Sequence, residues 1–301
     1  MRSFGAQAAR RARGKGLRPR RIRRVRGVGS AVAVVFIILI LVAAINAYLV
    51  TTLPQQMGVI EFQHVILVKN EFEQLQSNIL LEAGNPSALA AVVVPIQLGS
   101  QSNPPFGMAA GSTISTDSVP ADRASMSTGQ TVLGGISDVL YNRYFPINTI
   151  VYQYGAVVEG TGGNNSIMIS PPTAKVYGVT GGFGLNLTIV QTIAQNFSVQ
   201  SGTGVTGLST HLLSEFTFAS TSFTNPVQWI NITTAYPGAW YGYFNSPSFL
   251  SLIVNHPFVN SCLSSAGTFV CTVRVPLHLQ SLSITEVVTG LSLGSWTTTG
   301  G

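Results

Sequence analysis

The residues that could do chemistry are few and scattered. Gly290-Leu-Ser292-Leu-Gly294 has the G-x-S-x-G spacing of a nucleophile elbow. In that motif a strained strand-to-helix turn lifts the serine hydroxyl toward an acid and a histidine that follow in the chain. Ser295 to Gly301 supply none of these. Gly202-Thr-Gly204-Val-Thr-Gly207 has the G-x-G-x-x-G spacing of a pyrophosphate-binding turn, which needs a βαβ unit and an acid about 20 residues on. Val227 and Gln228 stand there, so the glycines read as a plain turn. His211 with Ser214 and Glu215 holds the residue types of a nucleophilic site but reads as a polar surface run. His64, His211, His256 and His278 fall at no metal-ligand spacing. We therefore expect no enzymatic activity, no cofactor and no metal site.

Two further patterns concern stability and modification. Cys262 and Cys271 bracket a short loop that can close a hairpin, and outside the cytoplasm such a pair forms a disulfide. Two cysteines are too few for a structural zinc site, which needs about four ligands. Asn164, Asn186, Asn196 and Asn231 each begin an N-x-S/T sequon, the acceptor pattern for N-glycans on exported chains. A chain this rich in Ser and Thr contains about as many by chance, so only their position is informative.

The elements that would hold these residues follow from the distribution of charge. Only 9% of the 301 residues are charged and 46% are hydrophobic, against roughly 25% charged in ordinary soluble domains. The formal charge of +6 hides a division. Eleven of the sixteen basic residues precede Gly27, a stretch with no acid, which leaves five basic and ten acidic residues beyond it, a net of −5. A nucleic-acid-binding domain would carry its positive charge on the folded face, so no nucleic-acid partner is expected.

Ala31 to Val50 contains one strongly polar residue, Asn46, and the charge-free run extends from Val28 to Ile60. About 20 such residues cross a bilayer, so lipid is the expected partner of this segment. A basic cluster stays on the cytoplasmic side, which places the N-terminus inside and the remainder at the cell surface. A cleaved secretory signal is the alternative, with Ala43 to Ala47 as a weak cleavage site.

Beyond the membrane Val65, Val68, Phe72, Leu75 and Ile79 repeat at spacings of three and four, the seam of a packed helix. Glu61, Lys69, Glu71, Glu73 and Glu82 are read as lying off that seam. It must be covered, either by the protein's own outer domain or by neighbouring copies. Pro54 predicts a kink, and Gly84-Asn85-Pro86 predicts a stop with a C-cap glycine.

From residue 86 the composition turns to Ser, Thr, Gly and β-branched types. Short apolar or alternating runs at 91–96, 147–158, 166–169, 175–179, 186–193, 215–222, 227–233, 269–275 and 279–288 predict strands. One helix is expected within 237–254, and residues 99–130 read as a long loop. The expected class is α+β: a long N-terminal transmembrane helix followed by an all-β sandwich or barrel-like extracellular domain. Its parts are a basic cytoplasmic leader (1–27), a transmembrane helix (28–53), an extracellular amphipathic helix (54–85), a β-rich domain (86–296) and a flexible tail (297–301).

Arg26-Gly27-Val28-Gly29-Ser30 before the apolar run resembles the class III signal of archaeal type IV pilins and archaellins. The resemblance implies cleavage between Gly27 and Val28 by a prepilin-type peptidase, and self-association through the retained helix. Val32 stands where bacterial members carry Glu, as in many archaeal pilins. Leu53-Pro-Gln-Gln56, Ile60-Glu-Phe-Gln-His64 and Val68-Lys-Asn-Glu-Phe72 are similar to membrane-anchored, pilin-like surface proteins of haloarchaea. So are Tyr144 to Tyr152 and Pro237-Gly-Ala-Trp240. The resulting expectation is a pilin-like subunit of a surface filament. The alternatives are a non-polymerising anchored module with a binding or adhesion domain and, third, a surface hydrolase.

Overall fold

The computed structural model describes residues 26–85, 91–100, 105, 107–116, 123–126, 131–161, 165–195, 199–220, 227–249, 258–265 and 268–295. Most of the basic leader, the 297–301 tail, Asn164, Asn196, His256, Leu250 and Ile253 lie outside them. The class is α+β. The chain divides into two compact units, Met1–Val50 and Thr51–Gly301.

In the first unit, α1 (Arg26–Ala47) is a helix of apolar residues whose described side chains, from Gly29 on, are exposed almost throughout. Such a helix has no polar face to give to water. By length and composition Gly29–Gly84 contains one segment able to cross a membrane. Tyr48–Thr52 forms a π-helical turn, and α2 (Leu53–Gly84) begins immediately after it with Pro54 in its first turn. A proline cannot supply the N–H that a regular α-turn requires. The wider π turn occurs where that donor is missing.

In the second unit, α2 lies on a β domain with sixteen strands among the described residues. One sheet runs β1 (Val92–Gln97), β12 (Val205–Ser220), β16 (Ser281–Ser295), β10 (Gly182–Ala194), β9 (Ala174–Val179). A second runs β11 (Val199–Gly202), β2 (Gly111–Ser115), β5 (Gly135–Tyr141), β6 (Asn148–Gln153), β7 (Ala156–Gly160), β8 (Ser166–Ser170). The third runs β14 (Phe258–Ser265), β15 (Thr268–His278), β13 (Val227–Thr234), β3 (Arg123–Met126), β4 (Thr131–Leu133). Strands β10 and β16 pair in parallel, while the other named pairs are antiparallel.

Alternate residues of the central strands serve two cores, because successive side chains on a strand point to opposite faces. Ile150 and Tyr152 of β6, Val190 of β10 and Val287 and Leu291 of β16 join the α2 seam in one cluster. Val151, Leu185, Leu187, Ile189, Leu282 and Ile284, from the same strands, join Trp240 and Phe244 of α3 (Pro237–Phe244) in the other. This double duty explains why 147–158 is apolar at nearly every position. That run is a hairpin turned by Tyr154 (φ 54°) and Gly155 (φ 87°), both left-handed as a two-residue type I′ turn requires. Tyr154 holds this disfavoured backbone with a buried ring that stacks near Trp240, centroids 5.9 Å apart, and a hydroxyl that donates to the Thr233 carbonyl.

Several expectations are corrected. Residues 99–130 are not one loop: β2 and β3 lie there, paired with β5 and β13. Their small polar residues hid the alternation. The expected helix over 237–254 stops at Phe244. Strands β10, β12, β15 and β16 run 11 to 16 residues, longer than the short runs read from the sequence. Gly84 is the last helical residue, not a left-handed cap. Asn85 follows at φ −140° with its N–H donating to the Glu82 carbonyl.

Candidate functional site

The motifs singled out by type and spacing do not converge. Gly290-Leu-Ser-Leu-Gly294 is extended within β16 and paired with β12, so no elbow forms. Gly290 is there for space: a Cβ on it would meet the His211 ring at 2.4 Å. The His211 Nε2 is hydrogen-bonded to Gln195 at 2.7 Å. Gly202 ends β11 and Gly207 lies inside β12, with the turn between them. Cys262 and Cys271 are directly opposite on β14 and β15 and are joined in a disulfide. Asn186 is exposed on β10, while Asn231 is half-buried on β13 with its Oδ1 buried and unpartnered. Gly27 and Val28 lie in the first turn of α1. Among the described residues no group of His, Cys, Asp and Glu is arranged to hold a metal.

What the fold does bring together is the inner face of α2. Val65, Val68, Phe72, Leu75 and Ile79 are at most 1% exposed and pack on β1, β2, β5, β6, β7, β10, β12 and β16 of the same chain. Full burial of such side chains contributes about 1.5–3 kcal/mol each. Continued at spacings of four and three, the seam passes through Glu61 at one end and Glu82 at the other. Both are buried, and the reading that placed them off the seam is wrong. Residue type sets them apart from an apolar seam, although the periodicity already includes them.

Each buried polar group on this face has a defined surrounding. The Glu61 carboxylate accepts from the backbone N–H groups of Arg143, Tyr144 and Phe145 at 3.0, 2.7 and 2.7 Å, so three successive amides of the β5–β6 loop close on it. Gln76 donates to the carbonyls of Gly155 and Pro171. Thr210 donates to Glu82, and Lys69 pairs with Glu159 at 2.6 Å. His64 Nε2 meets the Gln97 carbonyl at 2.9 Å, and burial lowers its pKa, an effect that this bond partly offsets.

Two acids face each other at the centre. Glu71 accepts from the Gln97 N–H at 2.9 Å. Burial raises its pKa to about 7, against the stabilising Gln97 bond and with the help of the Asp138 charge. Asp138 on β5 is fully buried, which raises it to about 7 as well. The nearby Ser112 hydroxyl offsets little of this, since its Oγ and both Asp138 oxygens lack a well-formed hydrogen bond. This is the chemistry of a fastener: Glu61, His64, Glu71 and Gln76 are engaged by the chain's own backbone, Glu82 by the Thr210 side chain, and the Asp138 carboxyl is buried without a well-formed partner.

At the N-terminal end of α2 a cavity of about 380 Å³ opens to solvent, lined by Leu53, Met57, Glu61, Gly107–Ala110, Tyr141, Arg143 and Tyr144. The Arg143 guanidinium lies 5.5 Å from the centre of the Tyr144 ring. Sequence reasoning missed this cavity. Only the Tyr144–Tyr152 segment was noted, and its neighbours come from elements far apart in the chain.

No family model matches the chain, and neither a curated protein nor a solved structure does.

Proposed function

We propose that the protein is a single-pass cell-surface structural protein, N-terminus inside and β domain outside, built as the pilin-like subunit of a filament or related surface assembly. The observation that supports this reading is the division of labour along the helix. The seam of α2 is occupied by its own domain, so α1 is the helical surface left to meet lipid or other copies. The basic leader, the Gly27-Val28 junction and the retained apolar run agree with pilin-type processing. After cleavage the mature chain would carry the net −5 of its remainder.

Mass spectrometry of the protein from native membranes tests the processing: a mature start at Val28 is expected, and an intact Met1 to Arg26 would sink it. Electron microscopy of sheared filaments labelled through the β domain tests assembly. A processed protein absent from any filament would leave the second reading, an anchored binding module, which the consumption of the α2 seam by its own domain also suits.

A further inference from the structure

The surface around the first turns of α2 has the composition of a membrane–water interface. Met108 is 72% exposed, Tyr141 and Tyr144, which line the same cavity, are exposed, and so are Phe62 of α2 and Ile147 of the β5–β6 loop. Large apolar and aromatic side chains grouped this way mark an interaction site. The site is rigidly built: the loop carrying Arg143 and Tyr144 is held by the buried Glu61 carboxylate, and the Phe145 ring meets the Phe62 ring at a tilt, 5.4 Å between centroids. The Arg143 guanidinium forms no ion pair among the described residues, and it projects beside the Tyr144 ring.

Chain connectivity says what lies next to this surface. A bilayer core takes about 20 helical residues, so a span starting at Val28 runs out near Tyr48 to Val50. The headgroup layer adds roughly 5–8 Å on each side, or about four or five residues at 1.5 Å each, which carries it past Leu53 at the cavity floor to about Gln55. Tyr144 packs against Gly58, its carbonyl 3.8 Å from where a Cβ would stand, about three residues or 4.5 Å further along, within reach of a tyrosine side chain. Tyrosines at the headgroup level and an arginine reaching phosphate are the groups that membrane interfaces select.

We propose that this face rests on the leaflet from which α1 emerges, with Arg143 on lipid phosphate, Met108, Tyr141 and Tyr144 among the headgroups, and the cavity receiving part of one phospholipid. The proposal rests on α1 being a membrane anchor. The contact holds the β domain against the bilayer before any assembly.

Photo-crosslinking of the full-length chain tests it. The protein is reconstituted in phosphatidylcholine–phosphatidylglycerol liposomes doped with a phospholipid bearing a diazirine just below its headgroup, then illuminated, digested and mapped by mass spectrometry. Adducts are expected on α1 and on residues 107–110 and 141–147, with strands β13 and β15 as unlabelled background. Arg143→Gln should lower the adducts at 141–147 about fivefold, the factor corresponding to about 1 kcal/mol per basic residue at an anionic surface, while labelling of α1 is unchanged. Met108→Ser, which alters an exposed side chain alone, should lower the adducts at 107–110. Labelling of α1 with residues 107–110 and 141–147 at background would overturn the proposal and leave the anchor intact. An unlabelled α1 would overturn the anchor reading too. Crosslinks joining residues 141–147 of two copies in place of lipid adducts would assign the face to a second subunit and overturn the lipid contact.

Discussion

The two halves of the N-terminal helix solve one problem in opposite ways. Both are rich in aliphatic residues, yet α1 shows its described side chains to the surroundings, whereas α2 hides a full stripe beneath its own domain. The half whose described side chains are almost all apolar can be matched by a solvent as undifferentiated as lipid. The half with Glu61, His64, Glu71, Gln76 and Glu82 needs a partner for each, and a folded domain supplies them at fixed places. A helix shared by two environments thus reports its environment through its polar residues more than through its apolar ones.

The contrast can be broken from either side. Phe72→Ala, at the middle of the α2 seam, should cost about 3–5 kcal/mol and lower the thermal midpoint of the β domain, read by near-ultraviolet circular dichroism. Ile38→Arg in α1 should leave that midpoint unchanged and disfavour membrane insertion by about 2.5–3.5 kcal/mol, read as a shift to the carbonate-extractable fraction. An equal loss of β-domain stability from both variants would erase the distinction between the halves.

Glu61→Gln sharpens it further. The amide has the size of the carboxylate but loses the charge that three N–H groups address, and hydrogen bonds to a charged group contribute about 1.5–3 kcal/mol. Urea unfolding should show a smaller loss than Phe72→Ala, and hydrogen exchange should quicken first at residues 143–145.

The smallest effect concerns pH. Glu71 and Asp138 have folded pKa values raised to about 7 above the usual value near 4, so between these limits the folded state binds more protons than the unfolded one. Stability then falls as pH rises from about 4 to beyond 7. Asp138→Asn should flatten that slope, raising the unfolding midpoint at pH 8 and leaving it almost unmoved at pH 4. A midpoint that rises over this range would contradict the buried acid pair.

The same contrast governs what could be read from residue order. Apolarity over Ala31 to Val50 is a property of each residue, and the three-and-four repeat from Val65 to Ile79 is local, so both are visible without a fold. Glu61 and Glu82 were misassigned because their partners sit 82 and 128 residues away at Arg143 and Thr210. Strand β5 was passed over because Ser137 and Asp138, polar by type, are interior by position. Gly207 reads as part of a turn although it lies inside β12, and Gly290, conspicuous only as one end of a G-x-S-x-G spacing, makes room for a histidine across the ladder. The cavity at the N-terminal end of α2 required three separated segments to meet, which no window on the sequence contains.

The position of β16 has a consequence for the order in which the protein is made. It lies between β12 and β10, and its Val287 and Leu291 help cover the α2 seam. A ribosome produces α2 roughly two hundred residues earlier, about 10–40 s at common elongation rates. Throughout that interval the part of the core that β16 completes beneath the helix stays open. Translation halted before Ser281 would therefore leave a chain with part of an apolar stripe uncovered, a signal that quality-control machinery could recognise by its greasiness alone.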